Sequence, residues 1–319
     1  MATSQRALVT GASGFVGGWL LGALHAAGWE VTALAQEGPA RPAPTARWMA
    51  GDVRDPAHLA AARDAARPDA IFHLAGVTFV PAAGRDPGLA AEVNVVAAAR
   101  LLGLVRERRR AGTLDPTVLV VGSAEQYGRH DDAELPLRED APLRPHTVYA
   151  ATKVAQEALA LEAWRSDGVR VIATRSFNHS GPGQASRFLL PGLVGRARAL
   201  RAAGGGAPLL VGNQTTVRDF LHVSDVVAAY IALVGAGRAG EVYNVASGVG
   251  HSVGALARRV LARFGLASAV ESDPALVRPV DVPALVGDAT KLRADAGWAP
   301  RHDLDALLDA LIAAPPPDA

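Results

Sequence analysis

The chain has 319 residues, with 32 Lys and Arg against 31 Asp and Glu, so it lacks the basic excess that would hold a nucleic-acid polymer. It contains no cysteine, which excludes a disulfide framework, thiolate metal sites and a cysteine nucleophile together. A length above the usual 100–200 or so residues of a domain, with half the residues hydrophobic, excludes a disordered chain and predicts one large α/β domain with an appended lobe.

Apolar bursts alternate with helical periodicity through the first half, the pattern of buried parallel strands joined by crossover helices. A strand is expected at 7–10, a helix at 19–27 stopped by Gly28, strands at 30–35 and 48–50, and a helix at 58–66. A strand at 70–74 follows the Pro68-Asp69 turn, then come a helix at 89–110, a strand at 118–121, a helix at 149–164 and a strand at 169–174. This alternation predicts a doubly wound parallel sheet of Rossmann type over residues 1–175. After Arg175 the regularity breaks at Gly181-Pro182-Gly183, and a helix at 190–203 leads into the glycines 204–206. Residues 176–319 are therefore expected to form mainly a smaller α/β lobe, with segments near 215–245 returning to the first domain. The stretches 37–44 and 315–317 read as exposed connectors. The basic run 106–110 suits a helix C-terminus and lacks the interleaved aromatics of a nucleic-acid groove. The longest apolar run, 226–237, falls short of the roughly 18 residues of a spanning helix. The N-terminal apolar segment passes at once into Thr10-Gly11, unlike a signal peptide. A cytoplasmic protein without a membrane partner is expected.

Between the first strand and its helix lies TGASGFVG, residues 10–17, with the helix beginning at or just after Gly14. A glycine-rich turn here lets backbone approach a pyrophosphate, and the helix N-terminus then faces that anion, which makes Gly11, Gly14, Phe15 and Val16 cofactor-binding candidates. After the second strand stand Gln36 and Glu37, with Arg41 further on, so the residues leave NAD and NADP both open. Asp52 and Val53, after the third strand, are placed to meet the adenine. Tyr149 and Lys153 lie one helical turn apart. An ammonium beside a phenol is expected to lower its pKa from about 10 toward working pH, making the tyrosine an acid or base. Ser123, closing a strand, can bond the same oxygen.

Further motifs follow in order: FHLAG at 72–76, Asn94 in EVNVVAA, GSAEQYG at 122–128, YAATK at 149–153, FNHSGPGQ at 177–184, VRDFLHVSD at 217–225, VYNVASG at 242–248 and RPVDV at 278–282. By these the chain resembles, over essentially its whole length, the extended short-chain dehydrogenases/reductases that act on nucleotide sugars. It looks most like their branch of GDP-mannose 4,6-dehydratases and GDP-4-keto-6-deoxy-mannose reductases. The resemblance implies Ser123, Tyr149, Lys153 and Glu125 as catalytic residues, with Tyr149 and Lys153 also touching the cofactor and Ser123 and Glu125 the substrate. It implies that Leu74, Ala75 and Gly76 flank the cofactor, that Asn178, Arg218 and Arg278 bind the sugar-nucleotide diphosphate, and that Asp281 binds a ribose. Gln36 stands where many members of the branch have arginine, and Asp281 where they more usually have glutamate. No metal is called for, and a homodimer is expected through the helices at 89–110 and 149–164. Glu125 matches the glutamate with which the dehydratases remove the C5 proton, whereas FNHSGPGQ resembles the reductases. The expected reaction is reduction of the C4 ketone of a GDP-4-keto-6-deoxy-hexose by NAD(P)H. A 4,6-dehydratase and a 4-epimerase are the alternatives, and a noncatalytic dinucleotide-binding protein would have been free to lose Ser123, Tyr149 or Lys153.

Overall fold

Strands that are apolar at every position must be covered on both faces, and crossover helices supply the cover. The computed structural model describes residues 4–36, 46–277 and 281–316. In chain order it contains β1 (Arg6–Thr10), α1 (Phe15–Ala26), β2 (Glu30–Ala35), β3 (Arg47–Ala50), α2 (Pro56–Ala66), β4 (Ala70–His73), α3 (Val80–Arg85) and α4 (Pro87–Ala91). After a π-helical turn at Glu92–Val96 come α5 (Ala97–Arg110), β5 (Thr117–Ser123), α6 (Val148–Asp167), β6 (Val171–Ser176) and β7 (Asn178–Ser180). The remainder holds α7 (Leu189–Ala202), β8 (Leu209–Val211), β9 (Val217–His222), α8 (Val223–Ala236), β10 (Glu241–Val245), β11 (Gly250–Ser252) and α9 (Val253–Arg263). It closes with β12 (Val270–Ser272), β13 (Ala284–Leu285), α10 (Thr290–Ala296) and α11 (Leu304–Ala313).

Seven parallel strands form the main sheet in the order β10-β6-β5-β4-β1-β2-β3. The expected Rossmann-type α/β fold is thus present. The chain winds outward in both directions from β1, so a crevice opens beyond the C-terminal ends of β1 and β4, where such folds bind ligands. One face is covered by α1 and α8, which bury Leu20, Leu21 and Leu24 with Val226, Tyr230 and Leu233. The other is covered by α2, α5 and α6, through Leu59, Leu101, Leu102, Ala160 and Ala163. A separate core of Leu193, Leu256, Val260, Leu307 and Leu308 joins α7, α9 and α11 beside the β8–β12 pair. The β9 strand meets β7, β11 and β13 in a second small sheet at the mouth of the crevice.

The continuous helical stretch Pro87–Arg110 is long and apolar enough to cross a membrane by length and composition. Glu92, Asn94 and Arg100 interrupt its apolar run in the sequence. In the fold its Ala97, Leu101, Leu102 and Val105 are buried in the core formed with α2 and α6, as in the core helix of a globular protein.

Candidate active site

The glycine loop is shaped by close backbone approaches. Gly11 has φ +68°, and a Cβ there would stand 2.7 Å from Ala75 N; at Gly17 it would stand 2.5 Å from Ala12 O. The loop can therefore lie flat against the end of β4, with α1 starting directly beneath it. No side chain caps α1 and its first turn carries no acid, so its free N–H groups and positive dipole end face the crevice. These residues fit a dinucleotide pyrophosphate. Gly11, Gly14, Phe15 and Val16 line a cleft of about 480 Å³ together with Leu74, Ala75 and Gly76. The same cleft is lined by Ser123, Glu125, Tyr149, Lys153 and Asn178.

β5 delivers Ser123 to this cleft, and a 3₁₀ turn at Ala124–Gln126 begins there, with Glu125 N donating to Ser123 Oγ at 3.2 Å. α6 starts on the Thr147 cap, whose hydroxyl accepts from Ala150 N at 3.1 Å, and so places Tyr149 and Lys153 one turn apart facing β5. Tyr149 is buried and lines the cleft with Ser123. Burial, with a smaller contribution from the charge of Glu125 and against the pull of the Ser123 hydroxyl, pushes the phenol up to about 12. The expectation that Lys153 draws the phenol toward neutrality is thus corrected. The Lys153 ammonium donates to Val121 O and to Gln156 Oε1, each at 2.8 Å, and burial lowers its own pKa to about 8. Asn94, buried in the π-helical turn, accepts from Val77 N at 2.8 Å and donates to Thr152 Oγ1 at 2.9 Å. It thereby ties the loop after β4 to α6.

Other expected ligand residues lie apart from this cleft. Gln36 Nε2 donates to Asp52 Oδ2 at 2.8 Å, and Asp52 also accepts from Arg54 N, Nε and Nη2 at 2.8, 2.9 and 2.6 Å. Hydrogen bonds from Arg54 hold the Asp52 carboxyl down to about 2. Val53 is buried beside them. Arg218 and Asp281 meet each other: Arg218 Nη2 donates to Asp281 Oδ1 at 2.7 Å, and its Nη1 to the carbonyls of Val217 and Val282 at 2.8 and 2.7 Å. Neither residue lines the cleft. Arg278 lies outside the described residues, as do Glu37 and Arg41. The structure adds Arg187, His179, Gln184, Phe79 and Phe188 to the lining. The Arg187 guanidinium sits 5.5 Å from the Phe79 ring and 5.4 Å from the Phe188 ring, bridging the two halves of the molecule. Only a lone arginine between a Gly/Pro cluster and a helix marked it in the sequence.

A family model described as GDP-mannose 4,6 dehydratase matches residues 8–311. The chain is 33% identical to the GDP-6-deoxy-D-mannose reductase of Pseudomonas aeruginosa over 309 residues, 97% of this chain and 96% of that protein. It is 31% identical to a UDP-glucose 4-epimerase of Azospirillum brasilense, over 96% of this chain and 91% of that protein. Among solved structures, RMD from P. aeruginosa complexed with NADPH superposes with a TM-score of 0.84 at 32% identity, covering 97% of this chain and 98% of that one.

Proposed function

The chain belongs to the GDP-mannose 4,6-dehydratase family of extended short-chain dehydrogenases/reductases, and on that footing we propose that it reduces the C4 ketone of a GDP-4-keto-6-deoxy-hexose with NADPH or NADH. When bound, the reduced nicotinamide supplies the hydride. What supports the direction of reaction is the likeness, over nearly the whole chain, to the GDP-6-deoxy-D-mannose reductase of Pseudomonas aeruginosa at 33% identity. Reduction needs a proton donor at the C4 oxygen, and Tyr149 is one in its resting form. Ser123, which lines the cleft with Tyr149, holds the C4 oxygen, and the Lys153 ammonium, one turn along α6, binds Val121 O and steadies the strand end that carries Ser123. The glycine loop and the N-terminus of α1 hold the cofactor diphosphate. The Arg187 guanidinium, whose fork of donors suits a phosphate, supports a place for the sugar-nucleotide diphosphate. Asn178, Arg218, Arg278 and Asp281 belong to the same reading as substrate residues, and Gln36, Asp52 and Val53 as the adenosine side of the cofactor site.

Glu125 supports a second reading, 4,6-dehydration, because its carboxylate lines the cleft beside Ser123 and Tyr149. The two separate by cofactor turnover. With a GDP-4-keto-6-deoxy-hexose and NADPH, near-ultraviolet absorbance should fall in step with a GDP-6-deoxy-hexose product. Conversion of GDP-mannose to a keto sugar without net cofactor consumption would replace reduction with dehydration.

The proposal includes a cytoplasmic enzyme acting as a homodimer through α5 and α6. Leu89 and Val96, each 38% exposed, support an apolar contact along the α4–α5 stretch. Light scattering on the eluting protein should give twice the chain mass; a monomer at micromolar concentration would refute the dimer.

A further inference from the structure

Glu157 lies one turn beyond Lys153 on α6, and the reaction described above gives it no task. Its side chain is 7% exposed and accepts three hydrogen bonds: from Arg175 Nε at 2.9 Å, Arg175 Nη2 at 2.7 Å and Gln126 Nε2 at 2.8 Å. Gln126, fully buried, accepts from Ser123 N through Oε1 at 2.8 Å. The orientation of this amide follows from its partners. A backbone N–H can only donate and a carboxylate only accepts, so Oε1 faces Ser123 and Nε2 faces Glu157. Arg175 is completed by the Glu139 carbonyl at 2.9 Å and by the face of Tyr127, 4.9 Å from the ring centroid. The end of β5 is left bare to admit the arrangement, since a Cβ on Gly122 would stand 2.4 Å from Gln126 Oε1. A buried ion pair is weak evidence for stability, because desolvation offsets most of the attraction. Its position is more informative. From α6, Glu157 reaches Ser123 N through Gln126, while Lys153 binds Val121 O directly, so the strand end is gripped at two points two residues apart.

We propose that Glu157 and Arg175 are positioning residues: through Gln126 they fix the main chain at Ser123, and with it the hydroxyl that aligns the substrate oxygen with Tyr149. This inference rests on the reduction proposed above. Misplacement of a reacting group by about 1 Å can lower turnover on the order of 100-fold.

The test compares Gln126→Leu, Glu157→Gln, Ser123→Ala, Tyr149→Phe and the double variant Ser123→Ala/Gln126→Leu, using NADPH and a GDP-4-keto-6-deoxy-hexose. Gln126→Leu and Glu157→Gln should each lower kcat by about tenfold or more, with KM for the sugar and Kd for NADPH within about twofold of wild type. In the Ser123→Ala background, Gln126→Leu should lower kcat no further, because it acts through that hydroxyl. Wild-type kcat in Gln126→Leu, or a full multiplicative loss in the double variant, would overturn the inference while leaving the reductase standing. Full turnover in both Tyr149→Phe and Ser123→Ala would overturn the reaction and the inference together. Should Glu157→Gln fail to fold, Gln126→Leu, which keeps the ion pair, decides.

Discussion

Burial moves Lys153 and Tyr149 in opposite directions. Burial lowers the Lys153 ammonium to about 8 and raises the Tyr149 phenol to about 12. Below pH 8 the phenol holds its proton and the lysine its charge. As pH rises through 8 the ammonium is lost first, and its charge-assisted bonds to Val121 O and Gln156 Oε1, which grip the strand end that carries Ser123, weaken. The kcat for reduction should therefore fall above about pH 8, well before tyrosine itself ionises; a profile flat from pH 7 to 10 would contradict this. At this scale residue type and spacing singled out Ser123, Tyr149 and Lys153, the family resemblance added Glu125, and all four line one cleft. The charge state of the phenol was not legible in the sequence, because it depends on burial and on where the ammonium points. Nor was the pairing of Arg218 with Asp281, whose partners are far apart in sequence and meet only through the packing of β9.

Helix α1 begins at Phe15, four residues before its apolar periodicity becomes visible, because Phe15 to Gly18 offers no repeating apolar stripe. The signal for its start was instead the glycine spacing. A Cβ at Gly17 would meet the carbonyl oxygens of Ala12 and Gly11 at 2.5 and 2.6 Å, both backbone atoms that cannot rotate away. Gly17→Ala should therefore displace the loop and weaken NADPH binding by about tenfold or more, read by titration of the protein with the cofactor. Unchanged affinity would show that the loop does not carry the diphosphate. The helix expected at 89–110 contains the π-helical turn that carries Asn94. One wide turn leaves no mark on hydrophobic periodicity, so its bonds to Val77 and Thr152 could not be anticipated.

Across the whole molecule the two halves are interleaved. The sheet strand β10 pairs with β6, and α8 packs against α1, although both belong to the second half of the chain. A fragment of residues 1–176 would expose the edge of β6 and the Leu20, Leu21 and Leu24 face of α1. It should lack a cooperative unfolding transition by circular dichroism, whereas the full chain should show one; cooperative unfolding of the fragment would refute this. The Rossmann-type fold was legible because long alternating elements leave strong patterns. The small sheet around β9 was not, since β7, β11 and β13 are only two or three residues long and pair across distant segments.

The place of β10 bears on how the protein is made. Synthesis runs from the N-terminus, and β6 emerges long before the strand that covers its edge. Throughout that interval the nascent chain presents an open parallel edge and an uncovered apolar helix face, features that invite pairing with other chains. The nascent chain is therefore most open to such pairing after helix α6 and strand β6 have appeared and before α8 and β10 dock.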